Sequence, residues 1–146
     1  MSANAPEVQL LSDTGLTTIV KVTGYYTSAC TAANTMVVNT AALSFANTSQ
    51  SCLVSISRIQ YSSDVAGIVQ LYWEGSSNSP IVNFGTSQAG NFEAYITNNA
   101  TAPTGNIGVQ TINLVANDSY SFILTLNKEH GYANAFIGYN DNIYKP

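Results

Sequence analysis

Chemistry at neutral pH needs titratable or nucleophilic side chains, and this chain offers few: one histidine, two cysteines, eight acidic and four basic residues among 146. His130 stands in Lys128-Glu129-His130-Gly131, which has the character of an exposed turn. A serine or cysteine nucleophile would have to borrow it as a base, yet there is no GxSxG elbow, and neither Cys30 nor Cys52 sits in a nucleophile motif. Glu74 and Glu93 both have outward parity in their alternating segments, which allows a carboxylate pair of the kind that hydrolyses glycosides. With eight acidic residues, two on one face is also what chance supplies. One histidine and two distant cysteines do not complete a zinc site, and Asn140-Asp141-Asn142 lacks the ligand spacing and glycine of a calcium loop. No GxxxxGK or GxGxxG cradles a phosphate. The residues therefore read as a protein that is no enzyme and carries no cofactor.

What remains is aromatic and polar. Tyr72 and Tyr95 have outward parity in their strands, and Tyr132, Phe136, Tyr139 and Tyr144 crowd the C-terminal residues. Tyrosine with Asn, Ser and Thr builds protein interfaces, where lysine is depleted. The same side chains stack on sugars and hydrogen-bond to them, so an interface and a glycan site both stay open. Sequons at Asn47, Asn99 and Asn117 are about as many as so Asn-, Ser- and Thr-rich a chain yields at random.

The elements that would position these residues are strands. Alternating segments recur between Gly, Asn, Ser and Pro clusters, and no stretch keeps a helical period for three turns. The reading is an all-β, antiparallel sandwich or jelly-roll-like single domain of about nine or ten short strands. Residues 1–127 form the domain, and 128–146 form an aromatic segment that docks on the domain or on a neighbour. In Tyr120-Ser121-Phe122-Ile123-Leu124-Thr125-Leu126 the even positions face the core. Val69, Leu71 and Trp73 share a core face, which leaves Tyr72 exposed. Phase changes predict a bulge or bend near Ser57-Arg58 and another near Gln110-Thr111. Residues 75–80 read as a loop too long for a two-residue turn that reverses a core hairpin over 69–84, residues 97–106 as a long exposed loop, and 135–139 as a further candidate strand.

Charged residues are only 8% of the chain and the net charge is -4, so a basic face for nucleic acid or anionic membrane is not expected. The N-terminus shows no signal-peptide pattern, and no run reaches the about 18 apolar residues of a membrane span. Without an export signal, Cys30 and Cys52 read as reduced, small apolar residues.

Four stretches in order carry a resemblance: Thr18-Ile19-Val20-Lys21-Val22-Thr23-Gly24, then Val69-Gln70-Leu71-Tyr72-Trp73-Glu74, then Thr97-Asn98-Asn99-Ala100 leading to Gly105-Asn106-Ile107, and Ser119 through Lys128. The chain resembles, over residues 17–128, small β-sandwich virion proteins of tailed phages, notably marine ones, some of them capsid decoration or cement proteins. That resemblance implies a protein made in the host cytoplasm that binds the major capsid protein on the outer shell, as a homotrimer, without catalysis. The aromatic segment would then be an arm gripping a neighbour, and the rival is a lectin-like module of a phage head or fibre.

Overall fold

In the computed structural model residues 5–47 and 49–132 are described. The candidate strand at 135–139 and the aromatics Phe136, Tyr139 and Tyr144 lie outside them. Among the described residues nine strands form two antiparallel sheets: β1 (Glu7–Asp13), β2 (Thr17–Tyr25), β3 (Cys30–Val38), β4 (Leu53–Asp64), β5 (Ile68–Ser77), β6 (Ser79–Phe84), β7 (Gln88–Ile96), β8 (Thr101–Leu114) and β9 (Ser119–His130). The five-stranded sheet runs β1-β2-β9-β4-β7 and the four-stranded sheet β3-β8-β5-β6.

The pairing is nested. β5 pairs with β6, β4 with β7, β3 with β8 and β2 with β9, so the chain from β2 to β9 is one long hairpin ribbon folded over itself. That winding is a jelly roll, with β1 added beside β2. The ribbon reverses at Asn78, whose side-chain oxygen accepts the Gly75 N–H at 3.0 Å.

Alternation sets the core. In β2 the buried residues are Thr18, Val20, Val22 and Gly24, and in β9 Tyr120, Phe122, Leu124 and Leu126. Opposite them the four-stranded sheet contributes Val69, Leu71, Trp73, Ile107 and Val109, all at or below 1% exposure. Burying a side chain of this size stabilises the fold by about 1.5–3 kcal/mol. Tyr61 stacks on Phe84 at 4.8 Å between centroids, so aromatic contact links the two sheets near the β7 edge.

The bulge expected near Ser57-Arg58 is present: the registers of β4 with β7 and with β9 both shift between Ile56 and Arg58. The one expected near Gln110-Thr111 is not there. β8 keeps regular register with β5 from Ile107 to Ile112, and the phase changes at Asn113 (φ 56°), which brings Leu114 inward. Asparagine tolerates that left-handed conformation better than most residues. The hairpin over 69–84 is present, but its connection and the loop at 97–106 are both shorter than expected. β5 reaches Ser77 and β6 starts at Ser79, leaving a tight turn, and β8 begins at Thr101, where Thr101 and Pro103 pair with Ser77 and Gly75. Polar composition concealed both because these strand ends lie beyond the core and need no apolar face. Gly105 makes this return possible: it has φ +94°, and a Cβ there would lie 1.9 Å from the Cys52 carbonyl oxygen.

The boundary expected at residue 127 falls inside β9, which continues to His130. Lys128 belongs to the body of the domain. Its ammonium is 2.7 Å from Asp13 Oδ1 and donates to the Ser44 carbonyl at 2.8 Å, with the side chain 1% exposed. Asp13 also accepts from Thr18 Oγ1 at 2.9 Å and the Ser44 N–H at 2.7 Å. Cys30 and Cys52 are both free thiols.

Candidate binding surfaces

The strands separate the groups that a catalyst would need together. Glu74 is on β5 and Glu93 on β7, so the carboxylate pair read from parity is divided between the two sheets. Parity places a side chain inward or outward and says nothing about which sheet a strand joins. Glu74 instead accepts from Thr104 Oγ1 at 2.7 Å and Asn106 Nδ2 at 3.2 Å, and Asn106 accepts the Thr40 N–H at 3.0 Å, a network that holds β8 to the 3-10 turn Thr40–Ala42. Glu93 lies 3.7 Å from Arg58 in an exposed pair. His130 sits at the end of a strand rather than in a turn, with Nδ1 3.1 Å from the Ser51 carbonyl oxygen. Among the described residues no group of three His, Cys, Asp or Glu side chains is placed to hold a metal ion.

Three surfaces remain. The first lies at one end of the five-stranded sheet. Tyr95 is 66% exposed, as its parity predicts, and its hydroxyl donates to Glu129 Oε2 at 3.2 Å. The same oxygen accepts from Ser55 Oγ at 2.6 Å. Thr97, Asn98, Leu53 and Val54 complete a cleft of about 170 Å³. Asn98 Oδ1 accepts the Ala100 N–H at 3.0 Å, while its Nδ2 is buried without a partner. Glu129, Ser55 and Asn98 escaped the sequence reading because they come from three separated strands or strand ends that only the fold brings together.

The second surface is the outer face of the four-stranded sheet. Register aligns Asn34, Gln110, Gln70 and Asn83 in one row across all four strands, with Gln70 Nε2 donating to Asn83 Oδ1 at 2.9 Å. Tyr72 is next to this row, but the expectation that it is an exposed aromatic is wrong: it is 8% exposed. Outward parity holds, yet the ring lies flat over Gly108, where a Cβ would meet the ring at 2.3 Å. Burial and the nearby Glu74 charge both push its phenol up from the ordinary value.

The third surface is apolar. Val8 and Leu10 pair with the core residues Val22 and Val20, and Phe92 pairs with Ile59, so all three belong to the inward face of the five-stranded sheet. They are nonetheless 47%, 52% and 46% exposed. Five strands face four, so the edge strands β1 and β7 are incompletely covered. Phe92 lines a cleft of about 130 Å³ with Ile59, Tyr61, Val82 and Phe84. Leu11 on β1, Leu16 and Phe45 are exposed apolar residues as well.

Tyr132, the first aromatic of the C-terminal group, packs against the core of its own domain. Its hydroxyl donates to the Thr40 carbonyl at 2.9 Å, and burial pushes its phenol up.

No family model matches this chain, and no curated protein does. Among solved structures it is similar to a tyrosine-to-alanine mutant of a family 29 carbohydrate-binding module, with 7% identity, a TM-score of 0.38, and coverage of 85% of this chain and 93% of that one. An aspartate-to-alanine mutant of such a module gives 10% identity and a TM-score of 0.36, with coverage of 85% and 92%.

Proposed function

We propose that this protein is a non-catalytic structural protein that docks on the outside of a protein shell, as a capsid decoration or cement protein on the virion surface. The observation that carries this reading is the overhang: inward-facing Val8, Leu10 and Phe92 at both edges of one sheet stay uncovered in the single chain. Exposed apolar side chains at a sheet edge are what a protein partner covers. The low charge and the resemblance to phage virion proteins support the same reading, with the major capsid protein as partner and a homotrimer as the assembled form. Many copies, each contributing a modest binding free energy to the assembled lattice, then oppose the pressure of packaged DNA. The jelly roll does not choose among functions, because shell proteins and lectins both use it.

The test is co-sedimentation of the purified protein with phage heads that lack it. Saturable binding at hundreds of copies per head is the expected result, reduced at least about tenfold by Leu10→Ser or Phe92→Ser, whose exposed positions leave the fold intact. Absence of binding by properly folded protein overturns the reading.

The Tyr95 cleft favours a second reading, a glycan-binding module of a head or fibre. An exposed ring, a carboxylate and an unpartnered amide around an apolar floor suit a sugar ring and its hydroxyls. In a glycan screen this reading expects binding that Tyr95→Ala abolishes while head binding persists. A blank screen removes it.

A further inference from the structure

Glu129 is a carboxylate for which the fold supplies no cation. Lys128 and His130, on either side of it in β9, have the opposite parity. Lys128 is enclosed by Asp13 and by the rings of Phe45 and Tyr132, and the His130 ring is engaged by the Ser51 carbonyl. Arg58 on β4 donates to Asn91 Oδ1 at 2.9 Å and lies beside Glu93. The ion pairs among the described residues are those of Lys128 with Asp13 and of Arg58 with Glu93, and Glu129 is in neither.

What holds Glu129 instead is neutral. Its Oε2 accepts from the Ser55 and Tyr95 hydroxyls; among the described residues these are its donors, and Oε1 stays open. The same bond fixes the largely exposed Tyr95 ring beside the charge. The cleft that these residues line holds about 170 Å³. An engineered cavity of ~150 Å³ takes up a benzene ring, so a planar guanidinium has room here.

An aromatic ring beside an unmatched carboxylate attracts a cation in two ways. The ring attracts a positive group within about 6 Å of its centre, and the carboxylate accepts charge-assisted hydrogen bonds. Arginine uses both at once, because its flat group stacks on a ring while its edge donates N–H bonds; a lysine ammonium is a compact, strongly hydrated point charge. A neutral sugar leaves the charge unmatched.

We propose that the cleft between β4, β7 and β9 takes up an arginine side chain of a protein partner, with Tyr95 as platform and Glu129 as counter-charge. This rests on the docking reading above and adds the contact that charge complementarity selects. A second copy of this chain does not supply the group, since Arg58, its one arginine, is already engaged by Asn91 and Glu93.

Two-dimensional NMR of the full chain, titrated with N-acetyl-arginine amide, tests the site directly. The amides of Leu53, Tyr95 and Thr97 should shift saturably in the millimolar range. The uncharged isostere N-acetyl-citrulline amide should bind at least about tenfold more weakly. Glu129→Gln, which keeps an acceptor for Ser55 and Tyr95, should weaken the arginine probe by a similar factor. Equal shifts with the citrulline probe, or undiminished binding by Glu129→Gln, overturn the proposal. So does a neutral oligosaccharide that shifts these amides when arginine does not, which would give the cleft to the glycan reading. In co-sedimentation with phage heads, Glu129→Gln should bind at least about fivefold more weakly than wild type. Heads that bind both equally overturn the proposal and leave the docking reading standing, whereas heads that do not bind wild type overturn both.

Discussion

Lys128 shows what one residue does when its charge is enclosed. Its ammonium is held by Asp13 and the Ser44 carbonyl between two aromatic rings, so removing it leaves the Asp13 carboxylate half-buried without its cation. Lys128→Ala should lower the unfolding free energy by about 3–5 kcal/mol in urea titration. Asp13 sets a matching acid limit. Burial works to raise its carboxyl, but hydrogen bonds from Lys128, Ser44 and Thr18 outweigh that and hold it below the usual carboxylate value. A carboxyl more acidic in the folded than in the unfolded chain stabilises the fold above about pH 4 and loses that contribution as pH falls through the folded value. Asp13→Asn should therefore flatten the acid limb of stability measured from pH 5 downward. A buried and an exposed aromatic differ as well: Trp73→Ala should cost about 3–5 kcal/mol, and Tyr95→Ala less than about 1 kcal/mol by the same titration.

At the scale of the strands, Gly108 on β8 and Tyr72 on β5 form a cross-strand pair in which the absence of one side chain makes room for the other. Gly108→Ala should destabilise by about 1–3 kcal/mol by forcing the ring off the sheet, and the penalty should shrink in the presence of Tyr72→Ala, a coupling that a double-mutant cycle measures. Sequence alternation read β9, the core side of β5 and the bulge near Arg58 well, because each has one buried face and a buried face imposes a period of two. It failed where that constraint is missing. Tyr72 follows its outward parity but is covered by its neighbours; Phe92 follows its inward parity but is only partly covered by Val82 and Phe84 of β6; the polar ends of β5 and β8 are held by backbone pairing and polar side chains such as Ser76 and Thr104. The Tyr95 cleft was half legible. Tyr95 announced itself as an outward aromatic, whereas Glu129, Ser55 and Asn98 join it only through the order β9-β4-β7.

In the molecule as a whole the nested ribbon makes almost every stabilising contact a distant one. β5 and β6 meet through a tight turn, whereas β2 and β9 join the two ends of the ribbon. Refolding after denaturant dilution should accordingly take milliseconds to seconds, about as for other proteins dominated by non-local pairing. The nesting also decides when the chain can fold as it is made. Translation delivers residues in order, so β9, which lies between β2 and β4, is the last of the described strands to appear. Until it does, Val20, Val22, Ile56 and Ile59 have no central strand to pack beside, and two hydrogen-bonding edges face solvent unmatched. The sandwich is thus completed from its middle and only once β9 has been made, and a nascent chain stopped before Ser119 has only half-built sheets to offer a chaperone or another unfinished copy.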